Sequence, residues 1–350
     1  MNSCYVQSKM KIAGLLPHVQ VFGGVRRYLE IGNELTKKGH TFVLLTPAGE
    51  KPQWLEFIGT SKPFKAMAAD HFDIGLCSDY SILPYFERLK AKAKFFYFLL
   101  EGHKREKEIL RKNYLFLGNS EGLCRRLERK YGIRCFRAPG GINPHFFYPF
   151  EKASPPARTA EPDFNILCYG RIYKKRKGVR RVIRAVEKLH KKFPRLRLIF
   201  FDSLVGEDRL DPRPLIKTSV PHDFHLNLPQ SRMAWLFAQA DLFVMAERRA
   251  GWANTAAEAM ACRVPVVCTP SGTRDFAFPG RTALVVPLGC SFLISRQIKK
   301  AILDENLRFR LARAGYEKIR EFTWEALAVR LEGIFKAALS EAGPSSGPLE

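Results

Sequence analysis

The sequence predicts an α/β protein built from two doubly wound parallel sheets, and three observations carry that expectation. Short apolar runs alternate with helical patterns along the whole chain. The composition breaks once, at a proline-rich stretch near the middle. The chain has 350 residues, 46% of them apolar, which suffices for two cores at about 150 residues per domain.

The apolar runs of the first half are KIAGLL (11–16), FVLL (42–45), DIGLC (73–77), FFYFLL (95–100), YLFLG (114–118) and RCFRA (134–138). They are too short for helices and too uniformly apolar for half-exposed strands, which points to strands buried on both faces of a parallel sheet. Between them, Val25, Tyr28, Leu29, Gly32 and Leu35 repeat at helical spacing. This first domain is expected over residues 1–150.

Residues 151–163 (EKASPPARTAEPD) hold three prolines and no large apolar side chain, and read as a linker. The pattern then restarts with strand FNILCY (164–169) and a helix striped by Val179, Val182, Ile183, Val186 and Leu189. Further strands are RLIFF (197–201), DLFVM (241–245), VPVVC (264–268) and ALVV (283–286), with helices over 295–339. The second domain is expected over 164–320, a final helix over 321–340, and a disordered tail over 341–350. Ligands of such sheets bind beyond the carboxyl ends of the strands, so a cleft between two facing sheets is the default site.

Lys plus Arg number 58 against 34 Asp plus Glu, a net charge of +24. That excess favours an anionic partner: nucleotide phosphates, an acidic membrane face or a nucleic acid. No nucleic-acid-binding motif is present, which argues against the last. The longest apolar stretch, Phe95 to Leu100, spans no bilayer, and the start of the chain does not read as a secretory signal, so a cytoplasmic address is expected. The cysteines at 4, 77, 124, 135, 168, 262, 268 and 290 form no Cys-x-x-Cys and read as reduced core residues. His222 and His225 lack a third ligand nearby and read as loop histidines rather than a zinc site.

Three segments carry candidate chemistry. Gly23-Gly24 follows the first strand and opens a helix, where bare backbone N–H groups admit a phosphate. GRIYKKRKG (170–178) follows a strand directly, so Gly170 and Arg171 emerge at the sheet edge, with Arg176 and Lys177 before the next helix; a guanidinium fork with a mobile ammonium suits a diphosphate. In AGWANTAAEAMACRVPVV (250–267), Asn254 or Thr255 is placed to cap a helix whose first turn carries Glu258, a carboxylate able to accept from a vicinal diol. A fourth segment, GNSEG (118–122), fits G-x-S-x-G and would make Ser120 a hydrolase nucleophile, but no histidine follows His225 and no oxyanion loop is evident.

Taken in order, GGV (23–25), GNSEGLCRRL (118–127), APGGINPHFFYP (138–149), GRIYKKRKG (170–178), ADLFVMAERRAGWANTAAEAMACRVPVV (240–267), SGTRDFAFPGRTALVVP (271–287) and EFTW (321–324) resemble the retaining glycosyltransferases of family 4, which have the GT-B fold. The resemblance implies a first domain that binds acceptor and a second that binds a nucleotide-activated sugar, such as a UDP- or GDP-sugar. Glu258 matches the acid that holds the ribose. Arg171 and either Arg176 or Lys177 match the diphosphate pair. Gly23 and Gly24 match a loop that closes over the β-phosphate, and Gly251, Trp252, Ala253, Asn254 and Thr255 match the stretch that touches donor sugar and phosphate. The last helix is expected to cross back onto the first domain.

The sequence departs from that pattern in places. The family's first acid of Glu-x7-Glu falls on Ala250, and Glu247 stands three residues earlier. The region where the family often carries an acceptor-side histidine reads FFYFLLEGHKRE, with Glu101 and His103 near the place. The implied activity is retaining transfer of a sugar from a nucleotide-diphosphate donor to a hydroxyl of a polysaccharide, glycolipid or lipid-linked glycan, without metal or other cofactor. Cations on the leaving diphosphate are the main lever. The basic segments 88–98 and 101–114 suggest docking on the anionic inner face of a cell membrane. The competing readings are a nucleotide-sugar-binding protein of low turnover and the Ser120 hydrolase.

Overall fold

The computed structural model describes residues 9–151, 163–204, 210–287 and 289–341. The chain divides into two compact units. One comprises residues up to Asn119, Leu123–Gly141 and Trp324 onward; the other comprises Ser120–Gly122 and Ile142–Thr323. Residues 142–150, expected with the first domain, therefore cluster with the second. Of the expected linker, residues 152–162 lie outside the described residues, as do residues 342–350 of the expected tail.

The first unit runs β1 (Lys11–Leu15), α1 (Gly23–Lys37), β2 (Thr41–Thr46), β3 (Thr60–Pro63), β4 (Phe72–Cys77), α2 (Leu83–Arg88), β5 (Ala91–Phe98), α3 (Glu106–Leu110), β6 (Leu115–Gly118), α4 (Glu121–Tyr131) and β7 (Phe136–Arg137). Its sheet is parallel, in the order β3-β2-β1-β4-β5-β6-β7. Order reverses between β1 and β4. The central strands are buried on both faces, which is why they read as continuous apolar runs.

The second unit runs β8 (Phe164–Tyr169), α5 (Val179–His190), β9 (Leu196–Asp202), β10 (His222–Leu226), α6 (Met233–Ala238), β11 (Leu242–Val244), α7 (Asn254–Ala261), β12 (Val266–Cys268), β13 (Leu284–Val285), α8 (Ser291–Leu303) and α9 (Glu305–Ile319). Its sheet is also parallel, in the order β10-β9-β8-β11-β12-β13, and reverses between β8 and β11. Val179, Val182, Ile183, Val186 and Leu189 all point into the core, as their spacing predicts.

A last helix, α10 (Trp324–Glu341), packs within the first unit. Trp324, Leu327, Ala328, Leu331 and Phe335 join the core formed by β1, α1, β4 and β5. Arg27 of α1 is buried there. Its Nη1 donates to the Tyr97 hydroxyl at 2.9 Å, and its guanidinium lies 5.5 Å from the Trp324 ring, so its charge has both a hydrogen-bond acceptor and an aromatic face.

Two strands escape the apolar-run criterion: β3 (TSKP) and β10 (HDFHL). His222 and His225 thus belong to a strand, not a loop. His222 Nδ1 is 3.1 Å from Val220 O, and the His225 ring meets Trp235 edge to face at 5.8 Å. Cys77, Cys124, Cys135, Cys168, Cys262 and Cys268 are buried free thiols, but Cys290 is exposed; Cys4 lies outside the described residues. No described helix is long and apolar enough to cross a membrane.

Candidate functional site

Strand order reverses between β8 and β11, and a doubly wound sheet is expected to hold its ligand in the crevice beyond the carboxyl ends of the strands at such a point. Two candidate segments emerge there side by side. Residues 170–178 follow β8, and residues 245–253 follow its neighbour β11.

Gly170 is fixed by a close approach. Its N–H donates to Phe201 O at 2.8 Å, and a Cβ would lie 2.5 Å from the Phe224 ring. Arg171 then turns onto the end of β9. Its Nε and Nη2 lie 3.1 and 2.7 Å from Asp202 Oδ1, and Nη2 also donates to Ser203 O at 2.8 Å. Burial works against the Arg171 charge, but Tyr169 and Asp202 outweigh it and hold the guanidinium above its ordinary pKa.

Lys177 ends a 3-10 turn, Lys175–Lys177, ahead of α5. Its Nζ lies 2.7 Å from Glu247 Oε1 and 2.8 Å from Oε2. Arg176 Nη1 reaches the same carboxylate at 3.0 Å. The lysine side chain is 18% exposed and the arginine 42%, so both flank Glu247 but Lys177 is the enclosed one. Burial lowers the Lys177 pKa, and Glu247 opposes that. The Tyr169 ring links the two arms of the site, with Arg171 at 5.3 Å and Lys177 at 5.2 Å from its centre. A fixed guanidinium and an ammonium therefore share one aromatic wall, each on its own carboxylate.

Gly178 makes this possible. Its φ of 72° is left-handed, and a Cβ there would strike the Ala246 carbonyl. The turn carrying the cations is thus pressed against the segment carrying Glu247. Asp202 was not among the residues expected to form the site, and Glu247 entered only as the acid nearest the position that Ala250 occupies. Asp202 had one signal, an acid at the end of an apolar strand; Glu247 had only its place near the vacant acid position.

Ala250 is buried, and its N–H donates to Ser271 Oγ at 2.8 Å. Ala253 N donates to Gly272 O at 2.9 Å, lacing Gly251, Trp252 and Ala253 against residues 271–272. Trp252 is buried against the Phe276 and Phe322 rings at 4.8 and 5.3 Å, yet its Nε1–H has no partner among the described residues. The helix start differs from expectation. Ala253, not Asn254 or Thr255, is the N-cap residue of α7, and no side chain caps it. Asn254 and Thr255 are the first two helical residues, so Glu258 falls one turn in rather than in the first turn. It is half-buried, on the helix that leaves the same crevice.

In the first unit, Gly23 and Gly24 are the first residues of α1, after extended Phe22. They follow β1, beside that sheet's own reversal point. His103 follows β5. Its ring stacks on Tyr80 at 3.7 Å, and its Nδ1 accepts from Arg105 N at 3.2 Å, which leaves Nε2 to carry the proton of the neutral ring. The loop is anchored by Glu106, a buried acid that sequence reading missed; it accepts from the Tyr131 hydroxyl at 2.8 Å, from Gly102 N at 3.2 Å and from Arg126. Ser120 is 1% exposed, so its hydroxyl is not presented as a nucleophile's must be.

A hollow of about 410 Å³ lies elsewhere in the second unit, lined by Asp163, Asn165, Arg197, Asp223, His225 and Trp235. It opens near the amino ends of β8, β9 and β10, away from the reversal crevice. Among the described residues no group of three or more His, Cys, Asp or Glu could hold a metal ion.

Comparison with known proteins bears on this geometry. Residues 150–318 match the family model described as Glycosyl transferases group 1. A capsular polysaccharide biosynthesis glycosyltransferase, CapM of Staphylococcus aureus, is 28% identical over 186 residues, covering 51% of this chain and 48% of the relative. A D-inositol 3-phosphate glycosyltransferase of Arthrobacter sp. is 28% identical over 215 residues, covering 58% and 50%. The chain thus spans about half the length of the curated relatives it matches. Among solved structures, a sucrose-phosphate synthase from Thermosynechococcus elongatus has a TM-score of 0.75 at 17% identity, covering 95% of this chain and 100% of that one. Anabaena HepE in complex with UDP-glucose has a TM-score of 0.69 at 15% identity, covering 95% and 100%. The two parallel-sheet domains are those of the GT-B fold.

Proposed function

We propose that this chain, which carries a group 1 glycosyltransferase domain over residues 150–318, transfers a sugar from a nucleotide-diphosphate donor to a hydroxyl acceptor with retention of configuration. The observation that carries this reading is the pair of cations at the β8–β11 reversal, Arg171 on Asp202 and Lys177 on Glu247, on either side of Tyr169. Breaking a glycosyl–phosphate bond places negative charge on the departing diphosphate. Cations already oriented and partly desolvated stabilise that charge without reorganising during the reaction. Lys177 is assigned the ammonium contact and Arg176 a supporting one, because Lys177 is the more enclosed.

Glu258 is assigned the ribose hydroxyls, and the Trp252 Nε1–H, buried without an acceptor, is assigned a donor oxygen. Gly251, Asn254 and Thr255 are assigned backbone N–H contacts in the same crevice, held in place by Ala253, whose own N–H is taken by Gly272 O. With charge neutralised by side chains, the chemistry requires no metal and no protein nucleophile. The acceptor attacks the face that the diphosphate leaves, and a departing phosphate oxygen takes its proton. The first unit is assigned the acceptor, with His103 as a contact.

The structural likeness to HepE with bound UDP-glucose supports a nucleotide sugar such as a UDP-sugar, and a GDP-sugar meets the same cations. The relationship to CapM supports an acceptor belonging to a cell-envelope polysaccharide. A basic enzyme of that kind is placed in the cytoplasm, peripheral to an anionic membrane face.

The first test is a thermal-shift panel of nucleotides and nucleotide sugars. A donor at 100 times its Kd stabilises by about 2.7 kcal/mol. If none stabilises the protein, the donor reading is lost. Anomeric NMR of the product then tests retention, and an inverted linkage overturns it. Ala250, in place of an acid that would contact the donor sugar, favours a second reading: a protein that binds the donor and turns it over poorly. Donor binding without product distinguishes it.

A further inference from the structure

We infer that Arg181 and Arg248 form a second oxyanion site in the C-terminal unit, one that takes a phosphate dianion, either free or esterified to a sugar. The inference starts from the clasp between two segments. Gly178 is pressed against Ala246, and Arg248 N donates to Arg176 O at 2.8 Å. This brings the first turn of α5, which contains Arg181, beside the residues that follow β11.

The two cations that precede the clasp have a carboxylate. Glu247 takes both Lys177 and Arg176. The two that follow have none. Among the described residues, Arg181 and Arg248 make no ion pair, and Arg181 Nη1 is buried without a hydrogen-bond partner. Burial and the Arg248 charge both work against the Arg181 guanidinium. Two like charges held together, one with a desolvated and unsatisfied N–H, are costly unless an anion joins them.

The surroundings favour an anion and not a carboxylate of the chain. The first turn of α5 has no acidic residue, and its N-cap, Gly178, offers no side-chain cap, so the positive end of a 12-residue helix adds to the field. Arg180 and Arg249 are exposed beside the pair. Arg249 holds φ at 59°, an uncommon conformation for a residue with a side chain, in the turn that presents Arg248. Two guanidinium forks match the three terminal oxygens of a phosphate monoester better than one point charge would. Arg171 and Lys177 face Tyr169 on their own carboxylates, so the two sites use different side chains.

This inference stands apart from the glycosyl-transfer reading, because its test uses no nucleotide. The full chain is titrated with inorganic phosphate, glucose 6-phosphate and glucose, followed by calorimetry and thermal shift. Both phosphates are expected to bind and glucose is not. Phosphate affinity should fall about tenfold or more in the Arg181→Gln/Arg248→Gln double variant, and remain within about twofold in Arg171→Gln. Because Arg248 is exposed, Arg248→Gln alone keeps the fold and should weaken phosphate by about threefold or more. Tighter binding of glucose 6-phosphate than of phosphate identifies a phosphorylated sugar as the ligand, and equal binding identifies the free anion. Unchanged phosphate affinity in both Arg248 variants, or its loss in Arg171→Gln alone, overturns the site.

Discussion

Lys177 Nζ lies 2.7 Å from Glu247 Oε1, and the Glu247 side chain is 4% exposed, so the lysine proposed to meet a diphosphate is held in advance by a buried acid. Removing the acid leaves an enclosed ammonium with no counter-charge. Glu247→Ala is expected to cost about 3 kcal/mol of stability. Chemical denaturation measures it, and a loss below about 1 kcal/mol would mean that the pair is solvated in solution.

Under the proposed function, Arg171→Ala removes one of the two cations assigned to the leaving diphosphate. The expected loss is about 2–4 kcal/mol of transition-state stabilisation, read as kcat/KM with the best donor and acceptor. The same variant leaves Asp202 buried and unpaired, so stability falls too. Arg171→Lys separates the effects. It keeps the charge but loses the two-pronged grip on Asp202, and should recover stability more than activity. Full turnover in Arg171→Ala would end the leaving-group argument.

Gly178→Ala meets two obstacles at once: a left-handed backbone and the Ala246 carbonyl where Cβ would lie. The expected destabilisation is about 2–4 kcal/mol. Gly102 is also left-handed, at φ 70°, but nothing lies near its Cβ position, so Gly102→Ala should cost only about 1 kcal/mol. Equal melting temperatures for the two variants would contradict the clasp.

Trp252→Phe keeps an aromatic ring against Phe276 and Phe322 and deletes an N–H that has no hydrogen-bond partner among the described residues. Stability should change by only about 1 kcal/mol. If a donor oxygen accepts from that N–H, donor Kd rises about tenfold. Calorimetry decides between a ligand contact and a packing residue.

Glu332 accepts from Lys336 at 2.6 Å and Lys38 at 3.0 Å, with His40 Nε2 at 3.5 Å. Burial pushes its pKa up, but the two lysines outweigh burial and bring it from an ordinary 4.5 to about 2. The folded state therefore binds fewer protons than the unfolded chain between those values. The stabilisation is full above about pH 4.5 and is lost as pH falls through about 2. Melting temperatures of wild type and Glu332→Gln, measured from pH 6 to 2, should converge as the solution becomes more acid. Parallel curves would show that the carboxylate titrates normally.

The sequence revealed most of the fold because the central strands are buried on both faces and keep one composition throughout. FNILCY and DIGLC are legible for that reason. TSKP and HDFHL are not, since β3 and β10 each close a sheet, pair on one side only and face solvent. Burial constrains them too little to leave a pattern. At the site, Arg171 and Lys177 were legible because a basic loop directly after a strand can emerge only at the carboxyl edge. Their counter-ions were not. Asp202 and Glu247 come from separate strand ends, and only parallel pairing across β9, β8 and β11 sets them beside the cations. The α7 boundary was misplaced because its cap residue, Ala253, has no capping side chain, so polar Asn254 drew the assignment.

The helix α10 has a consequence for biosynthesis. The first unit's core includes Trp324, Leu331 and Phe335, residues that the ribosome adds after the whole of the second unit. The first unit must therefore wait, incompletely covered, while some 180 residues of the second are made. A nonsense codon shortly after residue 320 would leave the second unit nearly intact yet strip one side from the first.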